Sequence, residues 1–272
     1  MPLRILFSFL ALTSLAFAGT FDKPVSTKVV DLGPSPFYRP GPNQPRVTVT
    51  CWYFSGFMVK QFDERQKGAA RLGIVPGATT STPCVRGLSQ NEKVINPEKW
   101  SGYFSGVKGN LVFFDASDGW NGGMPFVVYH AQTMKRIFED SVVNELEDKV
   151  MGGLQLSDAQ PVTLTYMRVV DSECNLRKEP AACWTAIQKK FHLESFAAPD
   201  CKPGYERHAR WLFSTDRCPS ATDSQCQEKE IAKILEELSD GNSAIAYPVK
   251  VTLGANPVPK PVPGTVGCWP GD

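Results

Sequence analysis

VTVTCWYF, residues 47–54, decides how the rest of the chain is read. Thr48, Thr50 and Trp52 alternate with Val47, Val49, Cys51 and Tyr53. β-Branched and aromatic residues at a period of two describe a strand. Ser55-Gly56 permits a bend, after which FMVKQF continues as a second strand. GIVPG at 73–77 reads as a short buried strand, and residues 80–99 mostly as loop.

The same pattern recurs downstream. Gly102–Ser105 and Asn110–Phe114 flank GVKG, which predicts a hairpin turn. Phe126–His130 and Arg136–Glu139 flank AQTMK, which predicts another. VTLTYMRVV (162–170), ARWLFS (209–214) and AIAYPVKVTL (244–253) read as strands, with Pro248 demoting the last to an edge or a bulge. Over 138–150, Phe138, Val142, Leu146 and Val150 recur every four residues, which suggests a short helix following the strand.

Two helices are predicted. EPAACWTAIQKKF (179–191) has Pro180 near its first turn, with an apolar face of Ala182, Cys183, Ala186, Ile187 and Phe191. The second runs from Ser224 to about Ser239, with Ser224 and Gln227 as a capping box and Ile231, Ile234, Leu235 and Leu238 as its stripe. Together these signals predict a mainly β fold: an antiparallel sandwich-like domain over 47–255, with a small disulfide-tethered helical insertion at about 171–241. A β-propeller is the alternative. Residues 19–46 carry many prolines and read as an extended arm; the Pro-rich tail, 256–272, reads as polyproline-like and tied down by Cys268.

The N-terminal MPLRILFSFLALTSLAFA reads as a signal peptide over 1–18, with Arg4, an apolar core and the small-x-small site Ala16-Phe17-Ala18. Its apolar run falls short of the roughly 20 residues a membrane span needs. A secreted or periplasmic protein is expected, and the lack of any N-x-Ser/Thr sequon points to a bacterial one. The eight cysteines, Cys51, Cys84, Cys174, Cys183, Cys201, Cys218, Cys226 and Cys268, form no C-x-x-C pair, so disulfides are expected rather than a metal site. The pairing taken is Cys51–Cys84, Cys174–Cys183, Cys218–Cys226 and Cys201–Cys268. The chain holds 29 Lys and Arg against 28 Asp and Glu, and loss of Arg4 with the leader would leave them equal. That balance argues against nucleic acid as a partner.

The chemistry-bearing candidate is FFDASDGWNGGMPF, 113–126. Asp115, Ser117, Asp118 and Asn121 offer oxygens for calcium, but the spacing is not that of an EF-hand, which leaves Asp115, Asp118 and Asn121 as weak calcium ligands and no other cofactor expected. Trp120 can stack on a sugar ring while Asp118 and Asn121 bond its hydroxyls. A self-bonded turn is the competing reading. His130 lies near enough in sequence to join Asp115 and Asp118 in acid–base work if the fold gathers them, and Asp63 is a further acid. No G-x-S-x-G occurs, and Ser105-x-x-Lys108 lacks the helical context of a nucleophile. No residue is assigned a catalytic role. The expected function is an exported, non-catalytic binding or structural protein, with carbohydrate or another exported protein as partner. A secreted hydrolase acting on glycans is the alternative.

Overall fold

The computed structural model describes residues 21–95, 101–143, 154–214, 217–218, 220 and 222–271. The leader read at 1–18 lies outside them, as do residues 144–150 of the helix read over 138–150.

Two antiparallel sheets form a sandwich. The first has five strands in sequential order: β1 (Ser26–Pro34), β2 (Arg46–Phe54), β3 (Phe57–Asp63), β4 (Arg71–Pro76) and β5 (Lys93–Ile95). The second has nine strands. It is built from β6 (Gly102–Lys108), β7 (Leu111–Ala116), β8 (Gly123–His130), β9 (Arg136–Val143), β10 (Gln155–Leu156), β11 (Thr163–Asp171), β12 (Ser243–Thr252), β13 (Lys260–Pro261) and β14 (Gly267–Pro270). Its main path runs β13-β12-β11-β9-β8-β7-β6, with β10 paired to β11 and β14 to β12. The propeller alternative is thereby replaced by a sandwich.

The alternation of period two sorts side chains between layers. Phe54, Phe57, Val59, Leu72 and Ile74 of the smaller sheet pack against Val107, Val112, Phe114 and Val127 of the larger one. The outer face of the smaller sheet carries Val49, Cys51, Tyr53, Met58 and Phe62, and Cys84 is drawn onto it by the Cys51–Cys84 disulfide. The far face of the larger sheet buries Phe113, Phe126, Leu164, Tyr166, Ile245 and Tyr247 beneath three helices' worth of insertion. Those helices are α1 (Pro180–Phe191), α2 (Lys202–Leu212) and α3 (Ser224–Glu237). The disulfides are Cys51–Cys84, Cys174–Cys183, Cys201–Cys268 and Cys218–Cys226, the pairing read from the sequence.

Several expectations are corrected. ARWLFS is not a strand: residues 209–212 end α2, whose buried residues Tyr205 and Ala209 stand four apart on one helical face. The Pro-rich arm contains β1, which pairs along β2 from Ser26↔Tyr53 to Pro34↔Arg46. Residues 138–143 belong to β9 rather than to a helix. GVKG is not the turn. Val107↔Val112 and Lys108↔Leu111 extend the ladder, and Gly109 at φ +59° with Asn110 makes the reversal. The cap of α3 is Asp223, whose side chain accepts a bond from the Cys226 backbone N–H, not Ser224. In α1, Trp184 joins Cys183 and Ile187 in the core, while Ala182 and Ala186 face solvent.

Pro248 is neither at a free edge nor at a bulge. It pairs with Met167 within an unbroken β11–β12 register. Its carbonyl accepts from the Val262 N–H, so its own nitrogen faces the same outer side. There β14 covers 243–246 and β13 covers 249–250, so the missing donor falls in the gap between them.

Candidate functional site

The site begins with a turn. Asn121 and Gly122 both have positive φ, 51° and 72°, the requirement of a type I′ turn that Asn-Gly meets at least cost. The reversal is closed by the Trp120 N–H to the Gly123 carbonyl (2.7 Å) and the Gly123 N–H to the Trp120 carbonyl (2.8 Å). The C-terminal strap holds it from below: the Trp269 indole N–H donates to the Asn121 carbonyl at 2.8 Å. A Cβ on Gly122 would stand 2.7–3.0 Å from the Trp269 ring, so the two surfaces meet without room for a methyl group. Cys268, next to Trp269, is bonded to Cys201 at the start of α2. A covalently anchored strap therefore braces a tight turn, and the turn presents Trp120 with 64% of its surface exposed.

The surrounding polar groups are engaged separately. Asp118 is exposed and ion-paired with Lys67, whose ammonium bonds it and holds its carboxyl below the usual carboxylate range. Asp115 sits on β7, buried, and accepts a 2.7 Å bond from the Ser105 hydroxyl. Burial pushes its carboxyl up from the ordinary value, and the Ser105 bond offsets part of that. Asn121 is buried within the turn. His130 lies at the far end of β8, where its Nδ1 accepts from the Gln132 and Thr133 N–H groups (3.3 Å each) and caps the β8–β9 turn. His130 pairs with Leu111, four residues along β7 from Asp115, or about 13 Å at strand rise. Asp63 accepts from the Arg65 backbone N–H at 2.7 Å and terminates β3.

The structure thus places Asp118, Trp120 and Asn121 together at one turn, sets Asp115 beneath in the sheet, and puts His130 and Asp63 elsewhere. Among the described residues, no group of three or more His, Cys, Asp or Glu side chains is arranged to hold a metal ion. Because β7 runs to Ala116 and β8 starts at Gly123, residues 117–122 alone connect them, fewer than the residues 115–125 left between the strands read at Asn110–Phe114 and Phe126–His130.

Two polar clusters have no local signature in the sequence. Lys60, on the outer face of the smaller sheet, forms a fully buried ion pair with Glu92 and donates to the Gly87 carbonyl at 2.7 Å. On the helix-covered face of the larger sheet, Asp140 accepts from the Tyr166 hydroxyl (2.6 Å) and from Arg168 Nε (2.9 Å), while Arg168 Nη1 donates to the Tyr247 hydroxyl at 3.3 Å. Burial and the adjacent Asp140 raise the Tyr166 phenol far above its ordinary value, so it serves as a fixed donor. The Asp140 cluster is gathered from β9, β11 and β12 by the register of the sheet, whereas Glu92 comes to Lys60 from the connection that leads into β5.

Comparison of the chain with family models, with curated proteins and with solved structures yields no match. The four disulfides fit an extracellular or otherwise non-cytoplasmic protein. Among the described residues no helix is long and apolar enough to cross a membrane.

Proposed function

We propose that this is an exported, non-catalytic binding protein, secreted or periplasmic, that engages a carbohydrate or another exported protein through the Trp120 turn. The observation that carries the reading is the contrast at residues 115–123. The aromatic side chain is exposed on a backbone fixed by a type I′ turn and by Trp269, whereas the nearby acids are held in structural bonds. A rigid, exposed indole contributes contact area at low entropic cost, since little freedom remains to be lost on binding. The Asp118–Lys67 pair beside it supplies an acceptor and donors for hydroxyl groups at its rim. The leader read at 1–18 agrees with the disulfides in directing the chain to an oxidising compartment.

A glycan array probed with the full mature chain, alongside a reducing-end assay on each glycan that binds, tests the proposal. Saturable binding without release of new reducing ends is expected. Turnover of a bound glycan would replace the binding reading with the hydrolase.

A further inference from the structure

A cleft of about 340 Å³ lies on the larger sheet, away from the Trp120 turn, walled by Ile137, Phe138, Pro257 and Pro259 with Arg136 and Arg168 among its lining. It exists because β9 and β11 meet at a single partner pair, Arg168↔Val142, while β10 takes the next stretch of the same β11 edge at Leu164 and Thr165. The Pro-rich tail then crosses beside this junction, and its rings complete an apolar wall. The volume is at the lower end of the range for small-molecule sites, about 300–1,000 Å³.

The polar element of the cleft is built in. Asp140, with a side chain only 6% exposed, fixes Arg168 through Nε at 2.9 Å, and the Tyr247 hydroxyl fixes Nη1. A guanidinium carries five N–H donors in a rigid fork. The two donors on Nη2 and the second on Nη1 have no partner among the described residues. Arg168 is 30% exposed on its side chain, so it remains open to a ligand in the cleft it lines. At the rim, Arg136 is paired with Glu139, so the oriented guanidinium donors that remain open beside the apolar walls are those of Arg168.

The geometry points to a binding site for a small amphipathic carboxylate, with its anionic head on the Arg168 fork and its apolar body between Phe138, Ile137 and the two prolines. Arg–carboxylate pairing is bidentate and strong where the guanidinium is already oriented. This inference does not rest on the Trp120 reading and survives its failure.

Titration calorimetry of the full mature chain with sodium octanoate, 1-octanol and octylamine tests it. Octanoate is expected to bind at one saturable site, about tenfold or more tighter than either control. The double variant Asp140→Asn/Arg168→Gln removes both charges at once, so neither is left buried and alone. It is expected to lose the octanoate preference. Backbone NMR of the wild type keeps the test decisive if that variant does not fold, since octanoate should shift the amides of 136–139 and of Val258 and Lys260. Octanoate binding no tighter than octanol, or saturable shifts confined to other surfaces, would overturn the assignment.

Discussion

Asp115 is a carboxylate placed where water is scarce, and its burial raises the folded-state pKa above the value it has when unfolded. Between those two values the folded protein holds a proton that the unfolded chain releases, so the stability from this group is full at low pH and declines as pH rises through the window. Asp115→Asn keeps an oxygen for the Ser105 hydroxyl and removes the charge. Relative to the wild type, its melting temperature should therefore improve as pH rises from about 4 to 7; an unchanged difference would show that the carboxylate is not desolvated. Lys60 makes a second residue-scale case. Lys60→Met leaves the buried Glu92 with the longer Arg71 ion pair at 3.8 Å, which should cost about 3–5 kcal/mol in urea unfolding, whereas adding Glu92→Gln should restore more than half of the loss. An undiminished loss in the double variant would place the cost in packing instead. Neither role was legible in the sequence. Glu92 reaches Lys60 because β5, which it immediately precedes, pairs with β4 beside β3, and Asp115 in DASDG looks like one of several loop acids.

Elements announced themselves where local pattern and tertiary packing agree. β2 alternates between a fully and a partly buried face, while β3 and the β7–β8 hairpin read as near-continuous apolar runs because both of their faces are buried in successive layers. β1 shows neither pattern, since it is an edge strand with most of its residues exposed, and its prolines suggested an arm. α2 was missed for another reason. It starts with Lys-Pro-Gly, buries only Tyr205 and Ala209, and is fixed by contacts from far along the chain: Cys201 is bonded to Cys268, and Gly204 packs directly on the Cys268 carbonyl. The Trp120 turn shows both kinds of information at once. Asn121-Gly122 is a local signal for a type I′ reversal, but its bracing by Trp269 is invisible locally. Gly122→Ala should cost about 1–3 kcal/mol, because it combines an unfavourable positive φ with a methyl group pressed into the Trp269 ring. Chemical denaturation would measure this, and a cost within about 0.5 kcal/mol of zero would mean that the strap does not seat on the turn.

For the whole molecule, the order of the strands converts a mainly sequential β chain into two faces with different tasks. The sandwich interface provides an apolar slab between the sheets, the helical insertion closes the far side, and the C-terminal strap runs back along β12 to reach the Trp120 turn. The mainly β class and the positions of α1 and α3 followed from periodicity, whereas the cysteine pairing was one choice among the 105 that eight cysteines allow. The clustering of side chains into sites did not, because it depends on register between strands as far apart in sequence as β9 and β12. Under the proposed function, Trp120 makes the binding contact and Asp115 only supports the sheet beneath it. The most direct measurement is the affinity of wild type, Trp120→Ala and Asp115→Asn for the array-selected glycan or protein, with folding of each verified by circular dichroism. Trp120→Ala should weaken binding about tenfold or more, with Asp115→Asn within about twofold of wild type. Unchanged affinity in folded Trp120→Ala, with loss of turnover in folded Asp115→Asn, would contradict the account.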